Sequence, residues 1–178
     1  MQLRGDSLVR QCRIDAWQVI QGGSDPVYVA AATYLKSIGF VNQAEVARVL
    51  DIATNPNSLF VQYNDAKRSR NASARELTVE DDMAPVVEYL KSRGLSTPEV
   101  VAVVAGHPPV LSYSVEERLA PFWDYMQDTV GLQDVGAVIA KRPSLLGLDL
   151  SNLEKIVGYL KSVDTPPETI VKYMMTSI

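Results

Sequence analysis

The feature that most constrains the fold of this chain is a four-residue segment that recurs along it. Tyr-Leu-Lys-Ser stands at 34–37, 89–92 and 159–162, and a looser copy begins at Tyr125 and leads to Gly131. The last three copies follow one another at intervals of 36 and 34 residues. Self-similarity at a period in this range is the signature of repeat architectures, in which one small structural unit is stacked several times.

A second pattern recurs in the other half of each interval. Pro-Pro-Val-Leu at 108–111 and Pro-Ser-Leu-Leu at 143–146 lie 35 residues apart, and 55–60 carries a looser version. Proline removes a backbone donor and ends a helix, and the paired apolar residues after it can fill the gap between neighbouring units. Each unit is therefore predicted to run long helix, glycine turn, shorter helix, proline turn.

These two patterns together predict the fold class. A single helical hairpin cannot bury its own apolar face, whereas three or four stacked hairpins can. Helix signals recur along the chain and strand signals do not. We therefore expect an all-α protein, a short α-solenoid of about three to four helical-hairpin units.

The spacing of the copies also predicts the domain organisation. The first two Tyr-Leu-Lys-Ser copies are 55 residues apart, so about twenty residues are inserted between them. Residues 61–80 are polar and basic and lack a sustained apolar period, which is typical of a linker or insertion. The sequence thus divides into N-terminal helices with one divergent repeat at 1–60, the insertion at 61–80, and clear repeats at 81–178.

Charge and composition restrict the function. The net charge is −4, and it is uneven, since residues 81–178 carry −5 and residues 1–80 carry +1. A nucleic-acid groove needs excess positive charge, so this balance favours a protein partner. His107 and Cys12 are the only histidine and the only cysteine, which argues against a metal site. No nucleophile–base constellation is present, so we expect neither enzymatic activity nor a cofactor.

The repeat unit resembles that of the mitochondrial transcription termination factor (mTERF) family. The best copies are Gly94–Leu111 and Gly131–Leu146, each with an apolar residue after the glycine and a Pro-x-x-Leu turn at its end. The resemblance covers residues 83–178 well and 24–60 more weakly. It implies a curved right-handed α-solenoid in an organellar protein. It also implies, for many members, a basic concave groove that binds DNA or RNA.

Two functional hypotheses follow, and the acidic charge and small number of repeats favour the first. In it the chain is a non-enzymatic scaffold or adaptor that binds protein subunits of a large organellar assembly, such as a photosystem–antenna supercomplex or an organellar ribosome. We expect a plastid rather than a mitochondrion, and no transmembrane segment, because no apolar run reaches the roughly 18–20 residues that span a bilayer. Candidate partner contacts are Trp17, Tyr63, Tyr113, Lys67, Arg68 and Arg70.

The alternative hypothesis follows from the resemblance. In it the chain is an organellar DNA- or RNA-binding regulator of transcription or RNA maturation. Phosphate contacts require Lys or Arg side chains that solvent can reach. The candidates in the repeats are Lys141, Arg142, Lys161 and Lys172.

Overall fold

In the computed structural model, which describes residues 25–58, 60–61 and 75–177, those residues form helices and no β-strand. The eight helices are α1 (Pro26–Ser37), α2 (Gln43–Thr54), α3 (Val79–Met83 continuing as Ala84–Ser92), α4 (Thr97–Gly106), α5 (Val115–Leu119, Ala120–Asp124 and Tyr125–Thr129), α6 (Val135–Lys141), α7 (Leu150–Ser162) and α8 (Pro167–Ser177). Short 3₁₀ helices, Pro108–Ser112 and Pro143–Gly147, follow α4 and α6. The predicted all-α repeat fold is confirmed.

The helices pair into four hairpins, here called units A (α1–α2), B (α3–α4), C (α5–α6) and D (α7–α8). In the first three units the turn residue is a glycine with positive φ: 122° at Gly39, 94° at Gly94 and 84° at Gly131. The residue after the glycine donates its N–H back into the last helical turn, as Leu95 does to the Leu90 carbonyl at 3.3 Å. This is the glycine C-cap that ends a helix and redirects the chain.

Unit D makes the same turn without glycine. Asp164 adopts a φ of 55°, and the next residue, Thr165, donates its N–H to the Leu160 carbonyl at 3.0 Å. A residue with a Cβ is strained in this region of backbone conformation, although Asp and Asn tolerate it better than most. The turn of unit D therefore has the same conformation as the glycine turns of the other units, but at a steric cost.

This strain predicts a stability difference between two variants. Asp164→Gly should be more stable than Asp164→Ala by about 1 kcal/mol, because only glycine adopts positive φ without steric cost. Urea unfolding followed by circular dichroism measures the difference. Equal midpoints for the two variants would show that the turn of unit D does not hold this conformation in solution.

The units stack side by side in two layers. α2 packs on α4 and α4 on α6, which forms a layer of second helices. α1 contacts the first turn of α3, and α3 contacts the first turn of α5, which forms a layer of first helices. One continuous hydrophobic core runs through all four units, from Ala31 on α1 to Met174 on α8.

The proline corners close the gaps between units, as predicted. The corner of unit B, Pro108–Ser112, packs on α2 of unit A, and the corner of unit C, Pro143–Gly147, packs on α4 of unit B. The two corners also contact each other, so they line up along one ridge. Their paired apolar side chains are almost fully buried: Val110, Leu111, Leu145 and Leu146.

Residues 75–80, the end of the predicted insertion, form the start of unit B in the structure. α3 begins at Val79, two residues before the predicted boundary at 81, and Leu77 is only 3% exposed. The Thr78 hydroxyl accepts the Asp81 N–H and caps the helix, while Arg75 pairs with Asp82. The bond from Arg75 lowers the pKa of the Asp82 carboxyl.

Candidate functional site

The described residues are more acidic than the whole chain. They hold eighteen Asp or Glu and eleven Lys or Arg, a formal balance of −7, whereas the rest of the sequence carries +3. The basic surplus therefore lies in the N-terminal 24 residues and in 62–74. A surface of the stacked units that binds a polyanion must contain few of these carboxylates, because like charges repel at short distances.

Half of the eighteen described carboxylates lie on the layer of first helices. The first helices carry nine Asp or Glu, eight of them on α3 and α5, and the second helices carry four. Most of those on α3 and α5 are exposed: Glu80, Asp81, Glu88, Glu116, Glu117, Asp124 and Asp128. This surface is unsuited to phosphate binding.

The layer of second helices is close to neutral. Its exposed or partly exposed positions include several small side chains: Ala44, Ala102, Ala105, Ala137 and Ala140. Three of its four carboxylates have partners within the fold. Glu45 is 4.0 Å from Arg48, Asp51 accepts from Ser58, and Glu99 accepts the Ser96 N–H at 2.8 Å in a capping box. The bonds from Ser96 lower the pKa of the Glu99 carboxyl.

Several cations hold the units together and are committed to that role. Arg48 of unit A donates to the Ala105 carbonyl of unit B at 2.9 Å. Arg93 of unit B pairs with Asp124 of unit C at 3.5 Å. Arg118 lies 3.8 Å over the Tyr113 ring, in the geometry of a cation–π contact. These side chains cross between units or brace a corner, which sequence reasoning missed because the partners are remote in the chain.

Five cations remain uncommitted within the described part of the chain. Their side chains make no hydrogen bond or ion pair with other described residues: Lys91, Lys141, Arg142, Lys155 and Lys172. Lys141 and Arg142 are adjacent at the end of α6, and Lys172 is exposed on α8, the second helix of the next unit. Lys91 and Lys155 lie on first helices. The uncommitted cations of the second-helix layer are thus three of the four predicted phosphate contacts.

The fourth predicted phosphate contact, Lys161, lies elsewhere. It is in the last turn of α7, and its Nζ donates to the Thr129 carbonyl at the end of α5. A cation at that position neutralises the negative end of the α5 helix dipole. Lys161 is at the end of unit D that holds the turn between its two helices, whereas Lys141 is at the proline-corner end of unit C, so the structure does not bring them into one patch.

Tyr113 was predicted to be an exposed partner contact, and this prediction is wrong. The side chain is 7% exposed, and its hydroxyl is 2.7 Å from Nε2 of the buried His107. Burial raises the pKa of the Tyr113 phenol, an effect that nearby Arg118 partly opposes. The 3₁₀ corner folds the ring inwards, which a loop assignment from sequence does not reveal. The other predicted partner contacts lie outside the described residues: Trp17, Tyr63, Lys67, Arg68 and Arg70.

The described part of the chain contains neither a candidate metal site nor a candidate membrane-spanning helix. It contains no group of three or more His, Cys, Asp or Glu side chains arranged to hold a metal ion. None of its helices is long and apolar enough to cross a membrane. Buried His107 has its ring against Tyr113, with centroids 5.6 Å apart, so it belongs to the packing of a corner.

Stacked hairpins with glycine turns and a ridge of proline corners define a helical-repeat protein. The family model described as mTERF matches residues 75–178, more than half of the chain. The chain therefore belongs to the mTERF family, and the predicted resemblance is confirmed. No curated protein and no solved structure matches the chain significantly. Unit A lies before the matched region, yet it repeats the same hairpin.

Proposed function

We propose that this chain is an organellar mTERF protein that binds nucleic acid across its layer of second helices. Family membership over residues 75–178 carries the proposal, because nucleic acid is the usual ligand of mTERF proteins and organelles are their usual location. The distribution of charge supports this face. Lys141, Arg142 and Lys172 are uncommitted there, and most exposed carboxylates lie on the opposite layer.

The number of available cations limits the strength of this binding. Each phosphate neutralised on duplex DNA contributes about −0.9 to the slope of log K against log salt, so three contacts give a slope of about −3. Three more cations, Lys67, Arg68 and Arg70, would steepen it if they also reach the ligand. Affinity in the non-specific range, with Kd of roughly 10⁻⁴–10⁻⁶ M, is the corresponding expectation.

A pair of double variants tests which face binds. Lys141→Ala with Arg142→Ala should weaken binding and make the salt slope shallower by about 2, since two phosphate contacts are lost. Lys91→Ala with Lys155→Ala is the matched control, because it removes the same charge from the first-helix layer and should leave the slope close to that of the unmodified protein. Fluorescence anisotropy of labelled RNA and DNA of one sequence, titrated between about 50 and 200 mM salt, gives both quantities.

The possible results separate clearly. Equal slopes for the two double variants would remove the second-helix layer from the proposal. No binding by the unmodified protein at the lowest salt would end the nucleic-acid proposal itself. A preference for RNA over DNA of the same sequence would favour RNA maturation over transcription as the process that the protein regulates.

A protein-binding scaffold remains the second candidate function, and two observations favour it. The described units carry −7, and three large hydrophobic side chains are exposed on unit D: Tyr159, Val163 and Tyr173. The setting of such a scaffold, in a plastid supercomplex or an organellar ribosome, remains a prediction. Cross-linking of the native protein followed by mass spectrometry would identify its neighbours. Nucleic-acid cross-links without protein cross-links would contradict this candidate.

A further inference from the structure

One tyrosine occupies the same position in every unit but does not have the same surroundings. Tyr34, Tyr89 and Tyr125, in units A, B and C, are half-buried and pack against the hydrophobic core. Tyr159, the equivalent residue of unit D, is 68% exposed. The exposure of each tyrosine depends on whether the first helix of a following unit packs over it.

The junction of units B and C shows this contact most completely. The rings of Tyr89 and Trp123 on α5 form a T-shaped pair, with centroids 6.0 Å apart and an interplanar angle of 89°. Arg93 lies over the Tyr89 ring at 5.0 Å and pairs with Asp124, the neighbour of that tryptophan. The tyrosine of one unit therefore packs on the first helix of the next, beside a carboxylate.

The other two junctions follow the same rule. Tyr34 of unit A is within electrostatic range of Glu88 on α3, and Tyr125 of unit C is within range of Glu154 on α7. Burial raises the pKa of each phenol, and the neighbouring carboxylate raises it further. In all three junctions a carboxylate on the first helix of the following unit acts on the tyrosine of the unit before it, and at the junction of units B and C the ring also packs on that helix.

Among the described residues, no first helix covers the corresponding face of unit D. On α7, Lys155, Tyr159 and Val163 are spaced four residues apart, so they share one face of the helix. Val163 is 55% exposed, and Lys155 makes no ion pair with the other described residues. This face therefore differs from the acidic surface of α3 and α5, because it combines exposed apolar side chains with an unpaired cation. Exposed apolar patches often mark interaction sites, and aromatic side chains are typical anchors for a partner.

We propose that this face of α7 binds an amphipathic helix of another protein, which packs there as the first helix of a further unit would. The helix has an apolar stripe for Tyr159 and Val163 and at least one carboxylate beside it for Lys155. Continuity with the three internal junctions and the opposite charge of the two surfaces favour this occupant. Helices that lay an apolar stripe on a complementary surface are a common mode of recognition. The proposal does not depend on nucleic-acid binding.

The probe is a helix-stabilised, labelled peptide of residues 114–131, which contains the sequence of α5 and four of its carboxylates. We expect saturable 1:1 binding to the full chain with Kd on the order of 0.1 mM, because a single helix buries less surface than a standard interface. Tyr159→Ala should weaken binding by about tenfold or more, as expected for a central aromatic anchor. Val41→Ala, at a side chain 95% exposed on unit A, is the control and should have no effect.

Charge reversal provides the sharpest comparison. A peptide with Lys in place of Glu116, Glu117, Asp124 and Asp128 should bind the unmodified protein more weakly, and Lys155→Glu in the protein should restore part of that binding. Circular dichroism of each variant checks that it is folded.

Several results would overturn the proposal. They are no saturable binding up to about 1 mM, equal affinity for both peptides, or no effect of Tyr159→Ala. Sedimentation of the unmodified protein as a dimer that Tyr159→Ala dissociates would assign the face to a second copy of the chain instead. Nucleic-acid binding measured on the same Tyr159→Ala variant should be unchanged, so failure here and failure of the nucleic-acid proposal are distinguishable.

Discussion

Leu111→Ala is expected to lower the free energy of unfolding by about 4 kcal/mol, within the range of about 2–5 kcal/mol found for buried leucine truncations. Leu111 is fully buried in the corner of unit B, which packs on α2 of unit A. Two prolines precede it in the same corner, and their fixed φ angles limit how far the backbone can move to fill a cavity. The cost should therefore lie towards the upper part of that range.

The same substitution should act locally as well as globally. Repeat proteins gain stability from the contacts between neighbouring units, so a cavity at one junction weakens the coupling across it. Unit A contacts the remainder of the fold largely through this junction. Amide hydrogen exchange should therefore show earlier opening of α1 and α2 in Leu111→Ala, while α5 and α6 keep more of their protection.

Urea unfolding and hydrogen exchange together check this prediction. Val41→Ala serves as the reference, because its side chain is 95% exposed and its loss should change stability by less than about 0.5 kcal/mol. A loss below about 1 kcal/mol for Leu111→Ala would mean that the corner does not fill the junction between units A and B.

The sequence predicted the repeats because local signals and tertiary packing agree in them. Gly39, Gly94 and Gly131 end first helices at positions where only positive φ lets the chain turn. The proline corners begin with residues that cannot continue a helix and continue with leucines that have to be buried. These signals depend on neighbours in the chain, so they can be read without a structure.

The turn of unit D and the repeat copy that begins at Tyr125 were harder to predict from the sequence, each for a physical reason. Asp164 replaces the expected glycine and adopts positive φ at some cost, which the motif alone does not indicate. Tyr125 is six residues from its glycine, where Tyr89 is five from Gly94. The last turn of α5, Tyr125–Thr129, is π-helical and accommodates the additional residue. A count of the spacing could have indicated that turn.

The candidate site was less predictable than the fold because it depends on contacts remote in sequence. Lys141 and Lys161 look alike in the sequence, yet the second donates to the Thr129 carbonyl in another unit. Tyr113 lies in a segment that reads as a loop, yet the corner turns its ring onto His107. Whether a charged or aromatic side chain is free for a ligand is decided by the stacking of units, which periodicity predicts only in outline.

Gly106 carries the second large prediction, because the sequence and the structure give it different roles. A glycine two residues before Pro108 is expected only to help end the helix. In the structure a Cβ built on Gly106 would lie 2.8 Å from Cγ and 3.2 Å from Cβ of Pro143, in the corner of unit C. The glycine therefore permits close approach between the end of one unit and the corner of the next.

Gly106→Ala should destabilise the protein by about 1–3 kcal/mol, the usual cost of forcing extra volume into a packed contact. The proline ring is rigid and its corner is held by buried Leu145, so neither side can move away cheaply. Gly158→Ala is the matched control. Gly158 lies inside α7 with no atom within 4 Å of the added Cβ, and this substitution should stabilise by about 0.5–1 kcal/mol because alanine favours the helix.

The opposite signs of the two substitutions make the test informative. Helix propensity alone predicts that both alanines stabilise, since each glycine lies within the bounds of a helix. Only the contact between units B and C reverses the sign at Gly106. Thermal or urea unfolding of both variants measures this difference. If Gly106→Ala stabilises as Gly158→Ala does, then α4 does not approach the Pro143 corner, and the ridge of corners on which the stacking of the units depends is not formed as described.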